Sequence, residues 1–281
     1  VHTNSLKAAW YGTLAAKLAG VPVVVHVRDR IAPDYLPRTA VMAVRLLARV
    51  LPTAVIANSR ATLATVPTRP RRRSTVVASP VVPDSVVVTG ATPARSERML
   101  SVGVIGRLAE WKGQHIFLEA FARAFGDGGA RARLVGSAMF REEAYEQRLR
   151  DQARALGIDD RVDFRGFRED VGAELAELDV VVHCSVLPEP FGQVVIEAMA
   201  AGCAVIASKA GGPAEVVTDG ADGLLVPPGD AALLAAVLRR LADDEALRHR
   251  LGRAARQTAL SYSPTRTADG VMAVYLDVVS G

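Results

Sequence analysis

The stretch "DVVVHCSVLPEPFGQVVIEAMAAGCAVIAS", residues 179–208, sets two carboxylates, Glu189 and Glu197, into an otherwise apolar run. On one continuous helix they would lie about 12 Å apart along the axis and roughly 80° apart around it, out of contact. Pro190 and Gly192 argue against that helix, because proline pushes the residue before it out of the helical region. The stretch therefore reads as a strand at 179–185, a loop "EPFG" carrying Glu189, a helix from near Gln193 with Glu197 on its second turn, and a strand at 203–208. Both strands are near-continuous runs of small and β-branched apolar residues. Such strands are covered on both faces, which means a parallel sheet in an α/β protein.

The same alternation runs through the rest of the chain. Residues 22–27, 54–59, 99–106, 132–137 and 161–166 read as further strands. "AAWYGTLAAKLAG", "GQHIFLEAFARAF", "EEAYEQRLRDQARALG" and "DAALLAAVLRRLADD" read as amphipathic helices between strands. A last helix is expected from Ser263-Pro264, with serine as N-cap and proline at the first helical position. "VVTGATPARSER" (87–98) has no period and reads as the linker. The expected organisation is a partial first domain over 1–88, a linker at 89–98, a second domain over 99–260 and a C-terminal helix over 261–281. The opening "VHTNS" reads as a strand end running into a helix, leaving the first part too few strands for a sheet of its own. The expectation is a fragment or an unusually small first domain.

The chain has 281 residues, 50% hydrophobic and 23% charged, enough for one large or two modest cores. No apolar run reaches spanning length and the start is not signal-like, so a cytoplasmic protein is expected. Cys184 and Cys203 lie in apolar strand-like runs and read as core residues of a reduced protein. Net charge is +4, and the one basic cluster is "RPRRRS" at 69–74. It has no interleaved aromatics, so nucleic-acid binding is not expected; a solvated loop, or contact with an acidic membrane surface, is. The charge favours polyanionic small molecules.

In doubly wound sheets, ligands bind beyond the carboxyl ends of the strands. "VGVIGRLAEWKGQH" (102–115) puts Gly106, Arg107 and Lys112 between a strand and a helix N-terminus. A glycine turn, a helix N-terminus and two cations suit a diphosphate. The spacing matches neither the P-loop nor the dinucleotide fingerprint. At the start of the helix after "EPFG", the N–H groups around Gly192, Gln193 and Val194 can hold phosphate or sugar oxygens. Glu189 and Glu197 suit the hydroxyls of a polyol. Gly211 and Gly212 serve either a close-lying ligand or a tight turn. His26 ends a strand and is either structural or, if that end meets the second domain, part of the site. No group of acids and histidines has metal-ligand spacing, so no metal or other cofactor is expected.

Taken together, these segments resemble the retaining glycosyltransferases of the GT-B fold, of the family-4 type called glycosyl transferases group 1. The Glu-x7-Glu motif matches Glu189 and Glu197, "GRLAEWKG" matches the phosphate-gripping turn, and "VIANSRATLATV" looks like the first domain's last strand and helix. The resemblance covers essentially the whole chain. It implies an α/β fold of two Rossmann-like domains facing across a cleft, with the C-terminal helix crossing back to the first. It also implies that Glu197 binds ribose hydroxyls, that Glu189 binds the transferred sugar, and that Arg107 and Lys112 bind the diphosphate. Backbone near Phe167 would face the base. Backbone N–H groups from Gly192 to Val195, after Phe191, would face phosphate and sugar, and His26 would lie beside the sugar. The family's first strands and glycine-rich loop are absent before Val1, which implies a truncated first domain.

The activity so implied is transfer of a sugar, with retention, from a nucleoside diphosphate sugar to a hydroxyl acceptor. That acceptor would be a glycan, a lipid-linked sugar or a small metabolite, and a lipid-linked one would bring the chain to the inner face of the membrane. Two alternatives stay open: a nucleotide-sugar 2-epimerase, and a non-catalytic or partner-dependent nucleotide-sugar-binding fragment.

Overall fold

A computed structural model describes residues 1–67, 73–81, 99–139 and 142–280. The expected linker at 89–98 and most of the basic run at 69–74 lie outside the described residues. The chain divides into two compact units. The first comprises Val1–Pro80, Glu189–Gly192 and Tyr262–Gly281; the second comprises Val81–Pro188 and Gln193–Ser261. The short segment Glu189–Gly192 thus groups with the first unit, although it lies inside the 99–260 span.

In the first unit, β1 (His2–Thr3), β2 (Val24–Val27), β3 (Ala54–Ala57) and β4 (Arg73–Val76) form a parallel sheet in the order β1-β2-β3-β4. Two of the sequence expectations are corrected here. The first unit does have a sheet of its own, because the two-residue β1 and the polar, half-exposed β4 both take part. The strand at "VIANS" is not the unit's last, since β4 pairs beyond it.

Alternation along β2 divides the packing between two faces. Val25 and Val27 share a cluster with Ala9 and Ala16 of helix Leu6–Leu18 and with Val41, Val44 and Leu47 of helix Arg38–Val50. Val24, Ala54 and Ile56 face the other way, onto Val77 and Val274 of helix Pro264–Ser280. Ser5, in extended conformation, caps the first helix by accepting from the Ala8 N–H at 3.2 Å.

In the second unit, β5 (Leu100–Ile105), β6 (Ala130–Val135), β7 (Val162–Gly166), β8 (Val180–His183), β9 (Ala204–Ser208) and β10 (Leu224–Val226) form a parallel sheet in the order β10-β9-β8-β5-β6-β7. The order runs outward in both directions from the β5/β8 pair, so the topological switch point lies between those two strands. Helix Gln114–Phe125 buries Phe117, Phe121 and Phe125 in one cluster with Leu134, Leu149 and Leu238. Asp170, Asp230 and Asp244 cap the helices that follow them. Helices Val171–Ala176 and Glu245–Ala259 complete the unit and were not expected from the sequence. The parallel sheets meet the α/β, GT-B expectation. Cys184 and Cys203 are free and buried.

Candidate functional site

The chain leaves β5 at Gly106 (φ 143), whose N–H is bonded to Val135 O at 2.9 Å. Gly136 packs so closely on this turn that a Cβ there would lie 2.1 Å from Gly106 O. Arg107 follows, then a single 3₁₀ turn, Glu110–Lys112, then Gly113 in the left-handed conformation (φ 74). A Cβ on Gly113 would lie 2.1 Å from Cys184 O, so only glycine fits between this loop and the end of β8. The two loops are also bonded directly: Val186 N–H donates to Trp111 O at 2.8 Å, and Cys184 Sγ donates to Lys112 O at 3.3 Å. The carboxyl ends of the two switch-point strands are therefore fixed to one another.

On this platform Arg107 and Lys112 converge on the Trp111 ring. The Arg107 Cζ lies 5.8 Å and the Lys112 Nζ 4.6 Å from its centroid. Arg107 Nε also stands 3.6 Å from Glu142 Oε2. A buried polar group holds the start of the next helix. Gln114 donates to Arg107 O at 2.9 Å, and the Tyr145 hydroxyl contacts Gln114 Oε1 at 3.3 Å and His115 Nδ1 at 3.0 Å. The sequence reading found the two cations. It missed Trp111, Gln114 and Tyr145, which position them and leave no charge signal of their own.

Helix Gln193–Ala201 begins at the expected residue. Val195 is buried, Val194 half-buried and Gln193 exposed. Glu197 is half-buried; desolvation pushes its carboxyl above the usual glutamate range, while a hydrogen bond with Gln193 acts the other way. Phe167 follows β7 with its ring exposed.

The remaining candidates belong to the first unit. Glu189 is buried, and Gly192 takes a φ of 87°, the left-handed region that suits glycine before a helix start. Ser59 Oγ donates to Pro190 O at 2.5 Å and Thr62 Oγ1 to the same oxygen at 3.1 Å. Ser59 Oγ also accepts the Thr62 N–H at 2.9 Å, so one hydroxyl both caps a helical turn and holds the "EPFG" loop. Phe191 packs edge-on against Tyr262 at 6.0 Å. Glu189 and Glu197 thus fall in different units.

His26 lies on β2, buried and stacked on His2 at 5.5 Å. Its Nε2 is shielded from solvent and has no hydrogen-bond partner among the described residues. Burial, helped by the nearby Arg28 and His2, pushes its pKa down to about 3, so the ring is neutral at physiological pH.

The model for the family "Glycosyl transferases group 1" matches residues 93–258, more than half of the chain. The lipopolysaccharide core biosynthesis glycosyltransferase LpsE of Rhizobium meliloti is 35% identical over 167 residues, 59% of this chain and 46% of its own length. A D-inositol 3-phosphate glycosyltransferase of Corynebacterium kroppenstedtii is 32% identical over 183 residues, 63% of this chain and 40% of its own. The chain thus spans less than half the length of these curated relatives. Among solved structures, Anabaena HepE in complex with UDP and glucose superposes with a TM-score of 0.89 at 31% identity, covering 98% of this chain and 77% of that one. HepE in complex with UDP-glucose gives a TM-score of 0.90 at 30% identity. The switch-point loop with its paired cations, the Glu-x7-Glu segment and these matches lead to one assignment: the chain belongs to the group 1 glycosyl transferases.

Proposed function

We propose that this chain is a glycosyltransferase of the family-4 type. It would move a sugar from a nucleoside diphosphate sugar to a hydroxyl acceptor, with retention at the anomeric carbon. The observation that carries the reading is the convergence of Arg107 and Lys112 at the switch point of the second unit, the place where doubly wound sheets bind nucleotides. Family membership and the UDP and UDP-glucose complexes of HepE support it.

In the proposed reaction the bond between the anomeric carbon and the diphosphate oxygen breaks, leaving an oxocarbenium-like sugar and new negative charge on the leaving group. Arg107, Lys112 and the N-terminal amides of helix Gln193–Ala201 stabilise that charge as it develops, without a divalent ion. The acceptor oxygen bonds to the anomeric carbon on the face the diphosphate leaves, and its proton passes to the departing phosphate oxygen. Glu197 accepts the ribose hydroxyls, and backbone near Phe167 lies at the base. Glu189, the backbone from Phe191 through Val195, Gly106 and His26 position phosphate and sugar.

Release of nucleoside diphosphate from UDP-, GDP- and ADP-sugars by the full chain, with the anomeric configuration of the product read by NMR, tests the reaction. Arg107→Ala is expected to lower turnover by about 10²–10³, the usual effect of removing one contact to developing charge. Unchanged turnover in that variant would sink the phosphate assignment, and an inverted product would sink retention.

A further inference from the structure

We propose that Glu142 is the resident counterion of Arg107, a carboxylate that the donor's diphosphate must displace and that limits how tightly the product diphosphate is held. This inference rests on the donor reading and adds to it a residue whose charge opposes the ligand. Glu142 stands immediately before helix Glu143–Ala155. A carboxylate there ordinarily turns to the free N–H groups of its own helix, at the positive end of the dipole. Glu142 makes no such bond. Its Oε2 lies instead 3.6 Å from Arg107 Nε, and both side chains are 28% exposed. That oxygen is shielded from solvent and has no hydrogen-bond partner among the described residues. At this distance the two groups attract by charge without a hydrogen bond.

An ion pair between two mobile surface side chains does little. Here the fold imposes the approach. Tyr145, three residues on, is buried; its hydroxyl accepts the His115 N–H at 3.2 Å and contacts Gln114 Oε1 at 3.3 Å. Burial pushes the pKa of that hydroxyl up, so it stays protonated. Gln114, only 1% exposed, in turn donates to Arg107 O at 2.9 Å. One helical turn thus steadies Arg107 at its carbonyl and presents a carboxylate to its guanidinium. Arg148, on the same helix, lies over the Tyr145 ring and pairs with Glu110 at 3.1 Å, so the acid within the β5 loop faces a different cation. A nucleoside diphosphate reaching Arg107 brings its charge beside Glu142, and like charges so close oppose one another. The carboxylate weakens that complex and recovers Arg107 as the diphosphate leaves, which favours release, a step that sets the rate of many enzymes. Glu142 touches no reacting atom; it is a positioning residue that acts through Arg107.

The test is calorimetric titration of the full chain and of Glu142→Gln with UDP, GDP and ADP and with the matching nucleosides, at low and high salt. Glutamine keeps an oxygen for the guanidinium and removes only the charge. The expected result is diphosphate binding about three- to tenfold tighter in Glu142→Gln, with nucleoside binding unchanged and a gain that shrinks as salt rises. Glu142→Lys, which reverses the charge, should tighten it too, and each variant is checked for native folding by circular dichroism. A loosened fold would weaken both ligands, so tightening confined to the diphosphate reads charge and not structure. Diphosphate binding that is unchanged or weaker in both variants, while the unaltered chain binds, would overturn the proposal and leave the donor reading standing. Failure of all three chains to bind any diphosphate would remove the donor reading, and this proposal with it.

Discussion

Trp111 supplies no charge to the strand-end turn, yet its ring is the surface on which Arg107 and Lys112 rest. A cation over an aromatic face contributes about 0.5–2 kcal/mol, depending on desolvation. Trp111→Leu should therefore weaken nucleoside diphosphate binding by about two-fold up to about thirty-fold, leave nucleoside binding unchanged, and be largely rescued by Trp111→Phe. Competition titrations with uridine and UDP check this, since a merely misfolded variant would lose both. Glu197 makes a second prediction, on stability. Burial raises its carboxyl pKa, so the folded chain favours the protonated form. The stability tied to this group is present in acid and is lost as pH rises through the raised value. Glu197→Gln should accordingly raise the melting temperature at neutral pH, with the gain vanishing in acid. Melting curves across pH read this directly, and a gain that persists in acid would contradict it. Arg107, Lys112 and Glu197 stand where the sequence places them, at a glycine turn and on the second turn of a helix, because glycines and a proline mark those boundaries. Ser59 and Thr62 were not legible, because a serine ahead of a helical turn looks like ordinary capping, and only the fold brings Pro190 O onto it.

Among the elements, the 3₁₀ turn Glu110–Lys112 and the end of β8 depend on each other through Gly113. Gly113→Ala puts a Cβ on Cys184 O and imposes a left-handed conformation that an L-residue resists. The expected cost is at least about 1 kcal/mol of stability, from the conformation alone. Urea unfolding measures it, with a larger loss in donor affinity than in stability because the platform under both cations shifts. β5, β8 and β9 were readable as runs rich in Val and Ile between helical periods, and the switch point followed once the strand order was known. Helix Glu245–Ala259 was not, since its buried line is Leu247, Leu251, Gly252, Ala255 and Ala259 amid several arginines, so small residues blur the period. Helix Arg38–Val50 hides for another reason: its run of Val, Met and Leu mixes β-branched residues into a helical period. β1 and β4 escaped because two residues, or a polar "RSTV", carry no strand signal without a neighbour to pair with.

For the chain as one polypeptide, the two units differ in charge as well as in sheet order. Residues 1–80 are basic, with twelve Lys and Arg against Asp29 and Asp34, and the remainder is net acidic. Neither division is visible in the net charge of +4, which averages over both. The account's central claim is that the second unit holds the diphosphate of a nucleotide donor at its switch point. Calorimetric titration of the full chain with UDP, GDP and ADP, repeated on Glu197→Ala, tests it most directly. The account predicts saturable binding of one of the three that weakens in the variant. A folded chain that binds none of them, or binds all three equally with and without Glu197, would contradict it.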